Sequence, residues 1–166
     1  MIIFLIGFMG SGKSTTGKQL AKRLGYTFID TDHLIVERLG MSVNEIFERL
    51  GEKSFRENET RLLNELILKN NLVVSTGGGL PCHGDNMDLM NIHGQSVYLK
   101  VSTSALYDRL SSRKGKRPLI KNLSDAELMA FIESKLSARE EYYNRARHVV
   151  RGLDANVEDL VKLVKD

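Results

Sequence analysis

The sequence predicts an α/β protein in which helices cover both faces of a parallel β-sheet. Short apolar runs rich in β-branched residues recur along the chain, and the segments between them are long enough for crossover helices. A glycine-rich loop and an amphipathic segment follow the first apolar run directly. With 166 residues, 42% of them hydrophobic, the chain is long enough for one domain with a full core. We therefore expect a single domain over residues 1–166.

Apolar runs predict the strands in order along the chain. These strands are Ile2–Ile6, Thr27–Asp30, Leu72–Ser75, Ser96–Val101 and His148–Val150. The first helix begins at Lys13, and a capping box that starts at Ser124 begins a long helix running to about Ala146. Glycines end or interrupt the helical segments at Gly25, Gly40 and Gly51. Open α/β sheets bind ligands beyond the carboxyl ends of their strands, so the candidate site residues lie there.

The loop after the first strand has the spacing G-x-x-x-x-G-K-S over Gly7 to Ser14. Its glycines let backbone N–H groups face phosphate oxygens, Lys13 would reach the terminal phosphates, and the Ser14 hydroxyl would bind magnesium. A turn without a ligand is the simpler alternative, but the flanking strand and helix favour the phosphate loop. The glycine spacing of dinucleotide sites, G-x-G-x-x-G, does not fit, because Thr15 stands where the third glycine is required. We predict a nucleoside triphosphate site formed by Gly10, Ser11, Gly12, Lys13, Ser14 and Thr15.

Two other strand ends carry candidate groups. The second strand finishes in Asp30-Thr31-Asp32, where one carboxylate can face a metal and the other a substrate hydroxyl; helix capping is the alternative for either. The third strand leads into Gly77, Gly78 and Gly79, whose backbone could approach a ligand closely. A plain turn explains three consecutive glycines less well.

Two arginines lie on apolar helix faces. Arg56 shares a face with Leu63 and Ile67, and Arg139 lies four residues before Tyr143 on the apolar side of the long helix. Buried guanidinium groups need anionic partners, and their planar fork suits a carboxylate or phosphate. An internal ion pair, such as Arg56 with Glu59, is the alternative, as is a side chain that extends to water. Together the two positions favour an anionic substrate.

A basic segment, Arg113 to Lys121, contains Gly115 and Pro118 and has little apolar periodicity. A solvated surface loop is the common explanation for such a charge run. Phosphoryl transfer, however, needs cations that close over the developing charge, so we predict a mobile lid at about 113–123.

Composition excludes several classes of function. Cys82 is the only cysteine, so we expect neither an internal disulfide nor a cysteine-built metal site, and the four histidines share no ligand spacing. A net charge of +3 without a basic, aromatic stripe argues against nucleic acid binding. The first apolar run is too short to span a bilayer and lacks a basic segment before it. We expect a cytoplasmic monomer without a membrane partner.

Six motifs together resemble the shikimate kinase family over nearly the whole chain. They are Gly7–Ser14, Phe28–Asp32, Gly51–Glu59, Thr76–Gly79, Lys116–Leu119 and Arg139–Tyr143. The resemblance implies a P-loop fold of the nucleoside-monophosphate-kinase type, with three layers, a five-stranded parallel sheet of order 2-3-1-4-5 and a mobile lid. It also implies ATP and Mg²⁺ as cofactors and transfer of the γ-phosphate to the 3-hydroxyl of shikimate, on the route to chorismate and the aromatic amino acids.

The resemblance further implies roles for individual residues. Lys13 would hold the phosphates and Arg117 would descend from the lid onto the transferring group, while Ser14 and, through water, Asp30 would bind magnesium. Asp32 would accept from the substrate hydroxyls and assist the attacking oxygen. The substrate-binding set is Asp32, Arg56, Gly77, Gly78, Gly79 and Arg139. The shikimate-binding region is about 31–60, and Glu59 would orient Arg56.

Two departures and two alternatives stay open. Either Arg109 or Arg113 would stack on the adenine, and Ser75 replaces the acidic residue of the metal-binding strand, so that its hydroxyl would take a metal-bound water. A gluconate or nucleotide kinase would share the loop and lid but would not require two arginines converging on a carboxylate. A GTP-dependent switch protein would need the motif Asn-Lys-x-Asp, which the chain lacks.

Overall fold

Five parallel strands form the central sheet in the computed structural model, which describes residues 1–151 and 155–166. They are β1 (Ile2–Ile6), β2 (Thr27–Asp30), β3 (Leu72–Ser75), β4 (Gln95–Lys100) and β5 (His148–Arg151). The order β2-β3-β1-β4-β5 confirms the predicted topology. Strand β1 pairs with β3 on one side and β4 on the other, which places the loop after β1 in the middle of the sheet edge.

Helices flank this sheet on both faces. They are α1 (Lys13–Leu24), α2 (Thr31–Leu39), α3 (Val43–Leu66), α4 (Asn86–His93), α5 (Thr103–Ser111), α6 (Asp125–Tyr143) and α7 (Val157–Lys165). Short 3₁₀ turns cover Leu80–Cys82 and Lys114–Lys116. Gly51 has φ 84° and ψ 162° and bends α3 at the predicted interruption.

Side chains of β1 alternate between two apolar cores. Ile2, Phe4 and Ile6 pack with residues of α2 to α6, whereas Ile3 and Leu5 pack with residues of α1 and α7. All five side chains are buried, because both faces of a parallel sheet are covered. The sheet is therefore a fixed base for the loops at its carboxyl edge.

The register of the strands brings three strand ends into line. Asp30 at the end of β2 lies opposite Ser75 at the end of β3, and Ser75 lies opposite Leu5 in β1. The loops after β1, β2 and β3 consequently leave the sheet side by side, as the sequence predicted.

Three predicted elements have different bounds in the structure, and one of them, β5, ends at Arg151 rather than Val150. Strand β4 begins and ends one residue earlier than expected, and helix α6 ends at Tyr143 rather than Ala146. Past Tyr143 the chain tightens into turns, with the N–H of Ala146 bonded to the carbonyl of Tyr143, before it enters β5. Among the described residues, no helix combines the length and apolarity that a membrane span requires.

Candidate active site

The loop between β1 and α1 is shaped by glycines in left-handed conformations. Gly10 has φ 81° and Gly12, the N-cap of α1, has φ 91°, a region that side-chain-bearing residues rarely adopt. The loop thus delivers the free N–H groups of the first turn of α1 toward the carboxyl edge of the sheet. This is the geometry of an anion site, at the position that the spacing predicted.

Lys13 folds back over this loop. Its Nζ donates to the carbonyls of Gly7 at 2.7 Å and Phe8 at 2.9 Å, and only 9% of the residue is exposed. Burial lowers the pKa of Lys13 from 10.5 to about 8, and the nearby Asp32 and Asp30 oppose that shift. The loop carbonyls therefore hold the ammonium group of Lys13 at the loop.

Ser14, Asp30 and Ser75 form a cluster of oxygen atoms beside the loop. The Ser14 hydroxyl donates to Oδ2 of Asp30 at 2.9 Å and lies 3.4 Å from the Ser75 hydroxyl. The other Asp30 oxygen accepts from the N–H of His33 at 3.1 Å, so this residue also caps α2. Asp30 therefore caps α2 with one oxygen, the alternative that the sequence left open, while its other oxygen contacts Ser14, and its role toward a metal stays a prediction.

Asp32 lies in the first turn of α2, since β2 ends at Asp30. Its Oδ1 is buried without a hydrogen-bond partner in the described part of the chain. Burial, and to a smaller extent the charge of Asp30, raises the pKa of Asp32, while Lys13 opposes the rise. A buried acceptor that is left free inside a polar site is suited to a hydroxyl of a ligand.

Arg56 and Glu59 form the internal ion pair that was the alternative to ligand binding. Nη1 of Arg56 donates to Oε2 of Glu59 at 2.8 Å, and their side chains are 15% and 1% exposed. Burial nevertheless raises the pKa of Glu59 from 4.5 to about 7, against the attraction of Arg56. The ion pair does not use every donor of the guanidinium, because Nε of Arg56 has no hydrogen-bond partner within the described residues.

Arg139 differs from Arg56 in having no carboxylate partner. No ion pair joins it to an acidic side chain anywhere in residues 1–151 and 155–166. Its guanidinium lies 5.9 Å from the ring centroid of Phe8, on the half-buried side of α6. A cation held against an aromatic face without an internal counter-ion is available for an anionic ligand.

The three consecutive glycines leave room for these side chains. A Cβ on Gly77 would lie 3.0 Å from Oε1 of Glu59 and still closer to Asp32; one on Gly79 would lie 2.6 Å from Cζ of Arg56. None of the three has a positive φ, so space rather than backbone conformation explains the glycines. The close approach in the structure is to charged side chains, and the predicted approach to a ligand stays a prediction.

The N–H of Gly77 is bound within the protein, while those of Gly78 and Gly79 are not. Gly77 donates to the hydroxyl of Thr31 at 2.8 Å. The other two N–H groups have no hydrogen-bond partner in the described part of the chain. Gly78 and Gly79 can therefore donate to a ligand, whereas Gly77 supplies only room.

A cavity of about 580 Å³ joins most of the predicted acceptor residues. Phe47, Phe55 and Phe131 form part of its apolar wall. The charged residues of its wall are Asp32, Glu52, Arg56, Glu59, Lys116, Arg117, Lys135 and Arg139, and Gly78 and Gly79 also line it. Gly77 does not line it. Three arginines and two lysines outnumber three carboxylates in this lining, so the cavity can hold a small, polyhydroxylated anion.

Arg109 contacts the phosphate loop, and Arg117 lines the cavity. Arg109 on α5 donates to the Gly10 carbonyl at 2.7 Å. Burial and the charges of Arg113 and Arg109 lower the pKa of Arg117, so the three guanidinium groups share one region. The neighbouring Ile120 is fully buried and anchors the basic segment in the core, whereas Leu119 is exposed.

Sequence reasoning missed three residues that hold the glycine loop in place. Thr31 accepts from Gly77, Tyr143 donates to the Gly78 carbonyl at 2.6 Å, and Asn86 donates to the Leu80 carbonyl at 2.9 Å. Thr31 and Tyr143 stand inside two of the quoted motifs but had no assigned role. Asn86 gave no sequence signal, since only the fold brings it to the loop.

Comparison with known proteins gives one consistent family. The family model described as shikimate kinase (SKI) matches residues 9–166. The shikimate kinase of Phocaeicola vulgatus is 44% identical over 96% of this chain and 96% of its own length.

Solved structures agree. The crystal structure of shikimate kinase from Bacteroides thetaiotaomicron has a TM-score of 0.95 and 39% identity, covering 100% of this chain and 99% of that one. Shikimate kinase from Acinetobacter baumannii, in complex with shikimate, has a TM-score of 0.85 and 33% identity over 99% and 90% of the two chains. The family model covers residues 9–166 and the curated relative is 44% identical over 96% of both chains, so this chain belongs to the shikimate kinase family.

Proposed function

We propose that this protein transfers the γ-phosphate of ATP to the 3-hydroxyl of shikimate, giving shikimate 3-phosphate and ADP in the route to chorismate and the aromatic amino acids. The observation that carries the proposal is a cavity lined by Arg56, Arg139 and Asp32, in which Arg139 has no ion pair and Oδ1 of Asp32 no hydrogen-bond partner among the described residues. Shikimate offers a carboxylate for the arginines and ring hydroxyls for Asp32. Family membership supports the same reaction.

The donor side fits ATP with Mg²⁺. The glycine loop and the N-terminus of α1 supply N–H groups for phosphate oxygens, and Lys13 is already held at the loop. The hydroxyl of Ser14 and the carboxylate of Asp30 are the hard oxygen donors that Mg²⁺ takes together with phosphates and water. Ser75 would hold a metal-bound water. When bound, Mg²⁺ neutralises charge that develops on the phosphates.

The acceptor side supplies position and proton acceptance. Arg139 and Arg56 would bind the carboxylate, and the N–H groups of Gly78 and Gly79 would donate to ligand oxygens. Asp32, with its raised pKa, would accept the proton of the attacking hydroxyl at its free Oδ1. Glu59 would hold Arg56 in place by accepting its hydrogen bond at Oε2, while Oε1 of Glu59 lies against Gly77 of the glycine loop.

The basic segment would act as a lid that assists phosphoryl transfer. Arg117 lines the acceptor cavity and lies in the same region as Arg109 and Arg113, so we propose that it contacts the transferring phosphate when residues 113–123 close. Arg109, which contacts the loop, and Arg113 are the two candidates for the adenine platform. We also propose that the enzyme works as a monomer in the cytoplasm, where ATP is available.

One assay separates this function from the alternatives. Release of the nucleoside diphosphate should be measured with shikimate, gluconate and nucleoside monophosphates in parallel, as ADP when ATP is the donor and as GDP when GTP is the donor. We expect turnover only in the combination of shikimate as acceptor and ATP as donor. Faster turnover with gluconate or a nucleotide, or GTP hydrolysis without an acceptor, would replace the proposal by one of those functions.

A further inference from the structure

Tyr143, in the last turn of α6, is a buried side chain that reaches the acceptor site without lining it. The residue is 0% exposed, and its hydroxyl donates to the carbonyl of Gly78 at 2.6 Å. It is absent from the cavity wall that Gly78 and Gly79 help to form. Its effect on a ligand must therefore pass through the groups it contacts.

The first such group is the peptide that joins Gly78 to Gly79. In a trans peptide the carbonyl of one residue and the N–H of the next point in opposite directions, and no peptide of the described chain is cis. Because Tyr143 holds the Gly78 carbonyl on the protein side, the N–H of Gly79 points away from Tyr143. That N–H has no partner in the described chain, and Gly79 lines the cavity.

The second group is the guanidinium of Arg139, one helical turn before Tyr143. A Cβ on Gly78 would lie 2.9 Å from Nη1 of Arg139 and 3.5 Å from the hydroxyl of Tyr143. Both side chains therefore pack on the same small residue. A shift of Gly78 toward either of them would displace a carboxylate-binding cation and a free N–H donor together.

The hydroxyl can perform this task over the whole neutral range of pH. Burial raises the pKa of Tyr143 well above its ordinary value, with Arg139 opposing the shift, so the group stays a donor. The only other hydrogen bond to the Gly78 carbonyl among the described residues is the long contact of 3.9 Å from Sγ of Cys82. Without the phenol, the carbonyl would be left almost unpaired in the interior.

We propose that Tyr143 is a positioning residue of the acceptor site, which orients the Gly78–Gly79 peptide and Arg139 toward the substrate carboxylate and ring hydroxyls. The inference rests on the proposed function, because it assigns shikimate to that cavity. It concerns acceptor binding alone, since neither group lies in the phosphate loop. Substitution of a residue that only filled the core would not weaken the binding of shikimate while leaving that of ATP unchanged.

The test compares Tyr143→Phe with Tyr98→Phe. The two rings pack at a centroid distance of 5.1 Å, and both residues are buried, but the hydrogen bonds to Gly78 come from Tyr143 and Cys82. For Tyr143→Phe we expect the Kd and KM for shikimate to rise about tenfold, the loss expected when a hydrogen bond to the substrate is misplaced, with kcat and the KM for ATP within about twofold of wild type. Tyr98→Phe should leave all of them near the wild-type values.

Several outcomes would overturn the proposal. An unchanged shikimate Kd in folded Tyr143→Phe, an equal loss in Tyr98→Phe, or an equal rise of both KM values would each do so. If Tyr143→Phe does not fold, the amide resonances of ¹⁵N-labelled wild-type protein decide. The amide resonance of Gly79 should shift when shikimate is added and not when ADP is added. A Gly79 resonance that does not shift with shikimate would contradict the proposal. Wild-type protein that fails to bind shikimate would refute the proposed function instead.

Discussion

Glu59 offers one carboxylate oxygen to Arg56 at 2.8 Å and leaves the other, Oε1, buried without a partner in the described part of the chain. The pair is almost completely removed from water, yet burial outweighs the attraction of Arg56 and raises the pKa of Glu59 to about 7. A buried ion pair of this kind adds little net stability, but its partners depend strongly on each other.

The first prediction concerns pH and stability. In the unfolded chain Glu59 loses its proton near its ordinary pKa of 4.5, whereas the folded protein keeps that proton to about pH 7. Its contribution to stability is therefore present below pH 4.5 and declines as the pH rises to 7. Glu59→Gln cannot ionise, so its free energy of unfolding relative to wild type should rise by about 2–3 kcal/mol between pH 5 and pH 8.

Chemical denaturation at the two pH values measures this difference. Glu52→Gln is the matched control, because Glu52 also contacts Arg56, at 3.4 Å, but is 62% exposed. Its stability relative to wild type should hardly change with pH. A pH-independent difference for Glu59→Gln would mean that Glu59 is ionised throughout the range.

The second prediction separates the two arginines. Arg56→Ala and Arg139→Ala should each raise the KM for shikimate, with a loss of binding energy of about 2–5 kcal/mol for a desolvated charge pair. Only Arg56→Ala should also lower the free energy of unfolding at pH 8, because it leaves Glu59 buried and unpaired. Arg38→Ala, which breaks an exposed pair with Glu65, serves as the control for both measurements. An unchanged shikimate KM in Arg139→Ala would remove that residue from the acceptor site.

The third prediction assigns Asp32 to the chemical step. Asp32→Asn keeps the shape of the side chain but loses the charge that draws the proton from the attacking hydroxyl. Its main effect should be a decrease in kcat of roughly 10²–10⁴-fold, the share of a general base. Steady-state kinetics give the answer. A change in KM alone would make Asp32 a binding residue, an outcome compatible with a loose phosphoryl-transfer transition state.

The fourth prediction tests the donor site. Lys13→Ala should abolish phosphoryl transfer while circular dichroism and the unfolding midpoint indicate a folded protein, because Lys13 stabilises charge on the phosphates. Lys22→Ala, at the other end of α1, is the control and should be fully active. Near-normal turnover of folded Lys13→Ala would overturn the nucleotide site.

The fifth prediction concerns lid closure. Hydrogen exchange of residues 115–123 should slow when ATP and shikimate bind together, since closure takes exposed segments such as Leu119 out of water. The buried Ile120 already anchors the segment, so the largest change is expected in its exposed neighbours. Equal exchange with and without the substrates would argue that the segment is a static surface loop.

The fold and half of the site were accessible from sequence because their signals are local. Strand pattern and the phosphate-loop spacing depend on neighbouring residues, and helical phase marked Arg56 and Arg139 as misplaced cations. Contacts between distant segments carry no such signal. Helical phase placed Tyr143 on the apolar side of its helix, but only the fold brings its hydroxyl to Gly78. Likewise, spacing could not indicate that Arg109 contacts Gly10.

The most direct measurement of the central claim is the position of the phosphate on the product. Protein, ATP, Mg²⁺ and shikimate should give one phosphomonoester, and its ³¹P resonance should couple to the ring proton on carbon 3. That result would join the arginine-bound carboxylate, Asp32 and the phosphate loop in a single reaction geometry. Phosphate on another hydroxyl, or release of inorganic phosphate with shikimate unchanged, would contradict the account.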